Sequence, residues 1–142
     1  MLSRISRHFA CMTQGLKPVR TRKTDAGFDV FVSERTEIET GGFEMVPTGS
    51  KIRCPEGYFI QIVARSSSIS NRLLVPTAII DAEYNGEIFV GTYNLSNNLI
   101  ILEEGDRIAQ LIFSPILHPS FDDVAKFPDT GRGIKGFGSS GK

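Results

Sequence analysis

The sequence predicts an all-β fold. Runs rich in Val, Ile, Phe and Tyr are short, and turn residues interrupt them at roughly 8–12-residue spacing, the rhythm of sandwiches and barrels. Helical periodicity is scarce. The chain has 142 residues, of which 40% are hydrophobic and 23% charged. That is enough for one domain with a sizeable core and no staple, and it is not the composition of a disordered chain.

The elements follow in order. Phe28–Val32 carries β-formers at nearly every place. Phe43–Val46 and Lys51–Cys54 read as two strands parted by Gly49, with Gly41-Gly42 before them and Pro55-Glu56-Gly57 after. Pro47 and Pro55 stand at the ends of runs, where a missing N–H costs no ladder bond. Tyr58–Ala64 suits a half-buried pleated surface. Ser66–Asn71 is the best helix, with hydroxyls placed to cap its first N–H groups. Leu73–Val75, Ala78–Ile80, Glu87–Tyr93, Leu99–Leu102 and Ile108–Leu117 complete the strands, and Asn85-Gly86 between β-runs signals a hairpin. From Gly131 to Lys142 five of twelve residues are Gly, so this segment is expected to be a mobile tail, with Phe137 alone among the glycines.

Composition excludes several function classes. Sixteen Lys and Arg balance sixteen Asp and Glu, which argues against coating nucleic acid by bulk charge. The longest apolar stretches, such as Ile108–Phe113, fall far short of the ~18 residues of a membrane span. Neither nucleic acid nor membrane is expected as a partner. Cys11 and Cys54 form no C-x-x-C pair and read as reduced thiols. Between Met1 and Lys23 stand Arg4, Arg7, Lys17, Arg20, Arg22 and Lys23 with no acid. That composition is like an organelle transit peptide, and the plainer alternative is a surface segment. No apolar stretch of signal-peptide length accompanies it, so secretion is not expected.

Four segments could carry chemistry. Arg65-Ser66-Ser67-Ser68 lies between a strand and a helical turn, where a guanidinium fork and hydroxyls suit phosphate oxygens, or simply start a helix. Asp81-Ala82-Glu83-Tyr84-Asn85-Gly86-Glu87 sets acids at a strand end, either as a general base or on a solvated hairpin. Gln110 is a polar residue inside the apolar run Ile108–Ile112, and a buried amide needs partners, from a ligand or from the core. In the tail, Arg132, Ser139, Ser140 and glycine N–H groups could wrap a phosphate chain, and Phe137 could stack on a flat ring.

The order of these segments is more specific than any one of them. Ala26-Gly27-Phe28-Asp29-Val30 comes first and Arg65-Ser66-Ser67 second. Ile80-Asp81-x-x-Tyr84-x-Gly86-Glu87 and Gly105-Asp106-Arg107-Ile108-Ala109-Gln110-Leu111 follow. Arg132-Gly133-x-x-Gly136-Phe137-Gly138-Ser139-Ser140-Gly141 closes the series. Together they resemble the five ordered motifs of the trimeric dUTP pyrophosphatases (dUTPases), from about residue 24 to the last residue.

The resemblance implies a jelly-roll-like (β-clip) homotrimer, a β-rich domain over 1–128 and an active-site tail over 129–142. It implies hydrolysis of dUTP to dUMP and pyrophosphate with Mg2+, at sites shared between subunits. By position, Asp81 would activate the attacking water and Tyr84 would stack on the deoxyribose. Asp29 would hold waters of the Mg2+ shell. Arg65, Ser66, Ser67 and Gln110 would bind phosphate oxygens. Arg132, Gly138, Ser139 and Ser140 would close on the terminal phosphate, and Phe137 would cover the uracil. Family members begin with a strand well before the first motif, and Arg4–Phe9 is placed to be it, which makes the basic leader part of the fold. A cytoplasmic location is expected, with nuclear, organellar and viral settings left open.

Departures from the family pattern are Phe28 for a usual Tyr, the polar Ser67-Ser68-Ile69-Ser70, Ala78 for a Gly near the base, and Ile134-Lys135 where small residues are common. Two alternatives stand beside the hydrolase: a dCTP deaminase-like enzyme with a Glu base just after the third-motif Gly, and a non-catalytic, nucleotide-gated module on the same fold.

Overall fold

The structure, a computed structural model, describes residues 9–136. Among them are ten strands and one short helix: β1 (Met12–Gly15), β2 (Phe28–Phe31), β3 (Thr36–Ile38), β4 (Phe43–Arg53), β5 (Tyr58–Ala64), α1 (Ser66–Ser70), β6 (Leu73–Leu74), β7 (Ala78–Ile80), β8 (Glu87–Asn94), β9 (Ile100–Leu102) and β10 (Arg107–Pro115). They form two four-stranded sheets, ordered β1-β4-β8-β6 and β2-β10-β5-β7, and the ribbon β3-β9. Every pairing among them is antiparallel. The all-β expectation holds, and no described helix is long and apolar enough to cross a membrane.

Period-2 alternation builds the core. Along β8, Ile88, Val90, Thr92 and Asn94 are buried while Phe89 and Tyr93 face outward. Val46 and Ile52 of β4 join them, and the other sheet contributes Val30, Ile60, Ile62, Ile108 and Leu111. The inward polar groups are paired. Thr48 Oγ1 donates to the Ile88 carbonyl at 2.6 Å. Asn94 Nδ2 donates to the carbonyls of Ile38 and Asn98, both at 2.8 Å, and its Oδ1 accepts from Ser96 N–H and hydroxyl. Asn94 thus ties β8 to the β3-β9 ribbon.

The sequence and the structure differ in several places. Residues 43–46 and 51–54 do not make two strands, because β4 runs unbroken through Gly49. Its register against β8 jumps from Pro47↔Phe89 to Lys51↔Glu87, and Gly49 sits in the extra stretch at φ +63. The glycine makes a bulge, not a break. β1 and β3 escaped the pattern, β1 because all four of its residues are exposed and β3 because it spans three. The strand expected at Arg4–Phe9 lies, except for Phe9, outside the described residues. Phe9 is not in a strand and stacks on Tyr58 with centroids 4.1 Å apart. Helix α1 also lacks a side-chain cap, with Arg65 at the N-cap position. Its hydroxyls bond elsewhere: Ser68 Oγ to the Ile108 carbonyl, and Ser70 Oγ to the carbonyls of Ser66 and Ser67.

Replacing Asn94 removes four hydrogen bonds at once. Asn94→Ala should lower the unfolding free energy by about 3 kcal/mol, read by urea denaturation, and should loosen β3 and β9 first in hydrogen exchange.

Candidate active site

Asp29 on β2 lies directly opposite Gln110 on β10. Its side chain is only 16% exposed, and each oxygen meets a guanidinium: Arg65 Nε donates to Oδ1 at 3.0 Å and Arg107 Nη1 to Oδ2 at 3.2 Å. Arg65 Nη1 also donates to Ser67 Oγ at 3.1 Å. One carboxylate therefore holds two arginines at the end of the sheet. Around them opens a polar cleft of about 510 Å³, shared with Arg22, Asp25, Gly27, Ser66 and Gln110. Three arginines against two aspartates leave it net positive, a balance that suits an anion. Gly27 lets the Gln110 amide pack close, since a Cβ there would come within 2.5 Å of Gln110 Oε1 and push that side chain aside. The Gln110 amide, so placed, donates to the Ala64 carbonyl at 3.2 Å.

A second cavity lies against β7. This groove, about 270 Å³, is walled by Met45, Ile62, Ala78, Ile80 and Phe89, with Asp81 and Tyr84 at its polar end. Asp81 follows β7 directly and is exposed. Its carbonyl accepts from Tyr84 N–H at 3.2 Å, which curls the chain into a turn. Tyr84 Oη donates to the Glu87 carbonyl at 2.8 Å, and its ring lies over Gly86, where any Cβ would collide with it. Glu87 is held in turn, because its Oε1 accepts from Gly49 N–H at 2.7 Å. The β4 bulge thus positions the Tyr84 turn. An open carboxylate beside an apolar groove can take a proton from a water and place it against a ring held on the wall.

The two cavities share no residue. Ile80 pairs with Ile60, so Asp81 stands level with Phe59, while Arg65 lies six residues further along the direction of β5. At ~3.3 Å per residue the two side chains stand roughly 20 Å apart along the sheet. Among the expected site residues, Asp29, Arg65, Ser66 and Gln110 line the cleft, and Ser67 adjoins it through Arg65. Asp81 and Tyr84 form the groove. Arg132 is exposed, its Nε donating to the Lys135 carbonyl at 3.0 Å. Phe137, Gly138, Ser139 and Ser140 lie outside the described residues.

The family model for dUTPase matches residues 14–141. The chain belongs to the dUTPase family. It is 39% identical over 132 residues to the deoxyuridine 5'-triphosphate nucleotidohydrolase of Tropheryma whipplei (strain Twist), covering 90% of both chains. Its fold matches a point mutant of the dUTPase of Staphylococcus bacteriophage 80alpha with dUpNHpp, at a TM-score of 0.88 and 28% identity, over 94% of this chain and 99% of that one. A mutant dUTPase from phage phi11 of S. aureus, whose structure concerns coordination of a structural Mg(II) ion, matches at 0.79 and 25% identity, over 85% of this chain and 100% of that one.

Two members of the site were not singled out from sequence. Arg107 stands in the fourth motif with no role of its own there, and it binds the first-motif Asp29. Glu87 was weighed only as a rival base, and its packing role needed the fold to be seen. Asp29→Asn leaves the half-buried Arg65 and the exposed Arg107 without their anion. The unfolding free energy should fall by about 1–3 kcal/mol in urea, and a cycle with Arg107→Gln should show coupling.

Proposed function

We propose that this chain hydrolyses dUTP to dUMP and pyrophosphate at sites shared between three copies of itself. One observation carries the reading. The anion cleft and the Asp81 groove, both needed around one α-phosphorus, stand roughly 20 Å apart along one sheet. A neighbouring copy that sets its groove against this cleft completes the site. The outward faces of β4 and β8 support such contact, because Phe43, Met45, Phe89 and Tyr93 are about two-fifths to one-half exposed there.

In that site the groove takes the uridine and the cleft takes the phosphates. Tyr84, locked by Glu87 and Gly86, presents its ring to the deoxyribose, where a 2′-hydroxyl would clash. Asp81 accepts the proton of the attacking water and aligns it on the α-phosphorus. Arg65, Ser66, Ser67 and Gln110 bind oxygens of the triphosphate, where neutralisation and positioning supply most of the rate. Asp29 keeps a free lone pair on each oxygen beside its arginine bonds, which suits a water-mediated hold on Mg2+. Bound with the triphosphate, Mg2+ supplies charge neutralisation. Residues 129–142 act as a tail beyond the 1–128 domain. Arg132, Gly138, Ser139 and Ser140 close on the terminal phosphate and Phe137 on the base, which excludes water.

The deaminase alternative is weaker, because the carboxylate of Glu87 is already bonded to Gly49 N–H. The deciding assay is pyrophosphate release from dUTP, dTTP, dCTP and UTP, with and without Mg2+. Release from dUTP alone, lost on chelation, is expected. Ammonia from dCTP without pyrophosphate from dUTP would sink the reading.

Asp81→Asn should lower kcat by ~10²–10⁴ with little change in nucleotide affinity, read by stopped assay and by binding of a non-hydrolysable analogue. Asp81→Asn and Arg65→Ala chains, each inactive alone, should recover up to about a quarter of full activity when re-formed together, since that fraction of random sites combines two intact halves. No recovery in mixed assemblies would place the whole site in one chain.

A further inference from the structure

β1 and β4 pair with Met12 opposite Arg53, so the next positions outward are Cys11 and Cys54. Their Sγ atoms lie 3.2 Å apart. These are the chain's two cysteines. Cys54 is 3% exposed and Cys11 half-buried. Neither lines the cleft or the groove. Cys54 instead lines a third cavity with Met12, Arg53, Ala82 and Glu83. The loop after β7 therefore has two faces: Asp81 and Tyr84 turn to the groove, and Ala82 and Glu83 turn to the wall that holds Cys54. Burial, helped by the neighbouring thiol, pushes Cys54 up to about 12. It stays protonated, and the half-buried Cys11 is the sulfur that an oxidant meets first.

We propose that Cys11 and Cys54 form a redox site, closed to an intramolecular disulfide by a peroxide and reopened by a dithiol. The Cys11 thiolate attacks one peroxide oxygen and the O–O bond breaks. The released hydroxide leaves as water with the proton Cys11 gave up, and Cys11 becomes a sulfenic acid. Sγ of Cys54 attacks that sulfur, the S–O bond breaks, and the departing hydroxide carries off the Cys54 proton as a second water. The two sulfurs lose two electrons and the peroxide gains them. The bond ties β1, an edge strand of four exposed residues, to the end of β4. It closes a loop whose ends are 43 positions apart and braces the back of the Asp81–Tyr84 loop.

The test uses the full, reduced chain titrated with hydrogen peroxide. Free thiols are counted in denaturant, and the linkage is read by mass spectrometry of a non-reduced digest. Both thiols should vanish together, with the peptides of Cys11 and Cys54 joined. The melting midpoint should rise by on the order of 10 °C, and dithiothreitol should reverse both changes. Cys54→Ser should stop at a Cys11 sulfenic acid that dimedone traps. A thiol count that stays at two, over-oxidation of Cys11 with Cys54 left free, or bridges between chains would each overturn the proposal. A bridged chain whose midpoint does not move would overturn the stapling role. None of these readouts depends on nucleotide turnover.

Discussion

The bulge at Gly49 is the constraint on which the rest of the structure leans. Between Pro47 and Lys51 strand β4 takes two more residues than β8 needs, and it turns towards β1. Only a residue at ease with φ +63 serves there. Three of the freed backbone groups have partners. Gly49 N–H goes to the Glu87 carboxylate, its carbonyl accepts from Leu16 N–H, and the Pro47 carbonyl accepts from Ser33 N–H. One irregularity thereby fixes the N-terminal strand, the exit from β2 and the residue that supports Tyr84. It is an instance of a sheet defect that aims a side chain into a cavity.

The second organising element is a charge arrangement. Asp29 is well shielded and would be costly alone, yet two guanidiniums flank it. The carboxylate holds both arginine planes in place before any ligand arrives, so less side-chain freedom is lost on binding. The fixed carboxylate also prevents the two cations from splaying apart by mutual repulsion. The groove follows the opposite logic, with apolar walls and one acid at the rim.

Much of this was legible in the residues. Tyr58–Ala64 and Ala78–Ile80 were readable to the residue, because dense β-formers were bounded by turn chemistry. The site residues of the cleft and groove were legible as ordered motifs, not as geometry. What stayed hidden has a common cause. Gly49 looks the same in sequence whether it breaks a strand or bulges one. Met12–Gly15 shows no alternation because neither of its faces is buried. The Arg107–Asp29 pair joins positions 78 apart, and the Cys11–Cys54 contact joins positions 43 apart. Local pattern carries no information about either. The hydroxyls of Ser68 and Ser70 suggested caps, and the fold uses them to bond carbonyls.

The pairing of β2 with β10 has a kinetic corollary. On a chain emerging from a ribosome, the sheet β1-β4-β8-β6 has all its strands once residue 94 is out. The sheet β2-β10-β5-β7 must wait for β10, which inserts between two strands made long before it. Until then β2 and β5 have an unfilled gap between them, with bare ladder groups on both sides. At ~5–20 residues per second that gap stays open for a second or more. The cleft at the end of that sheet is therefore completed only when β10 is in place. Its walls must stay soluble through an interval in which any passing strand could take the place of β10.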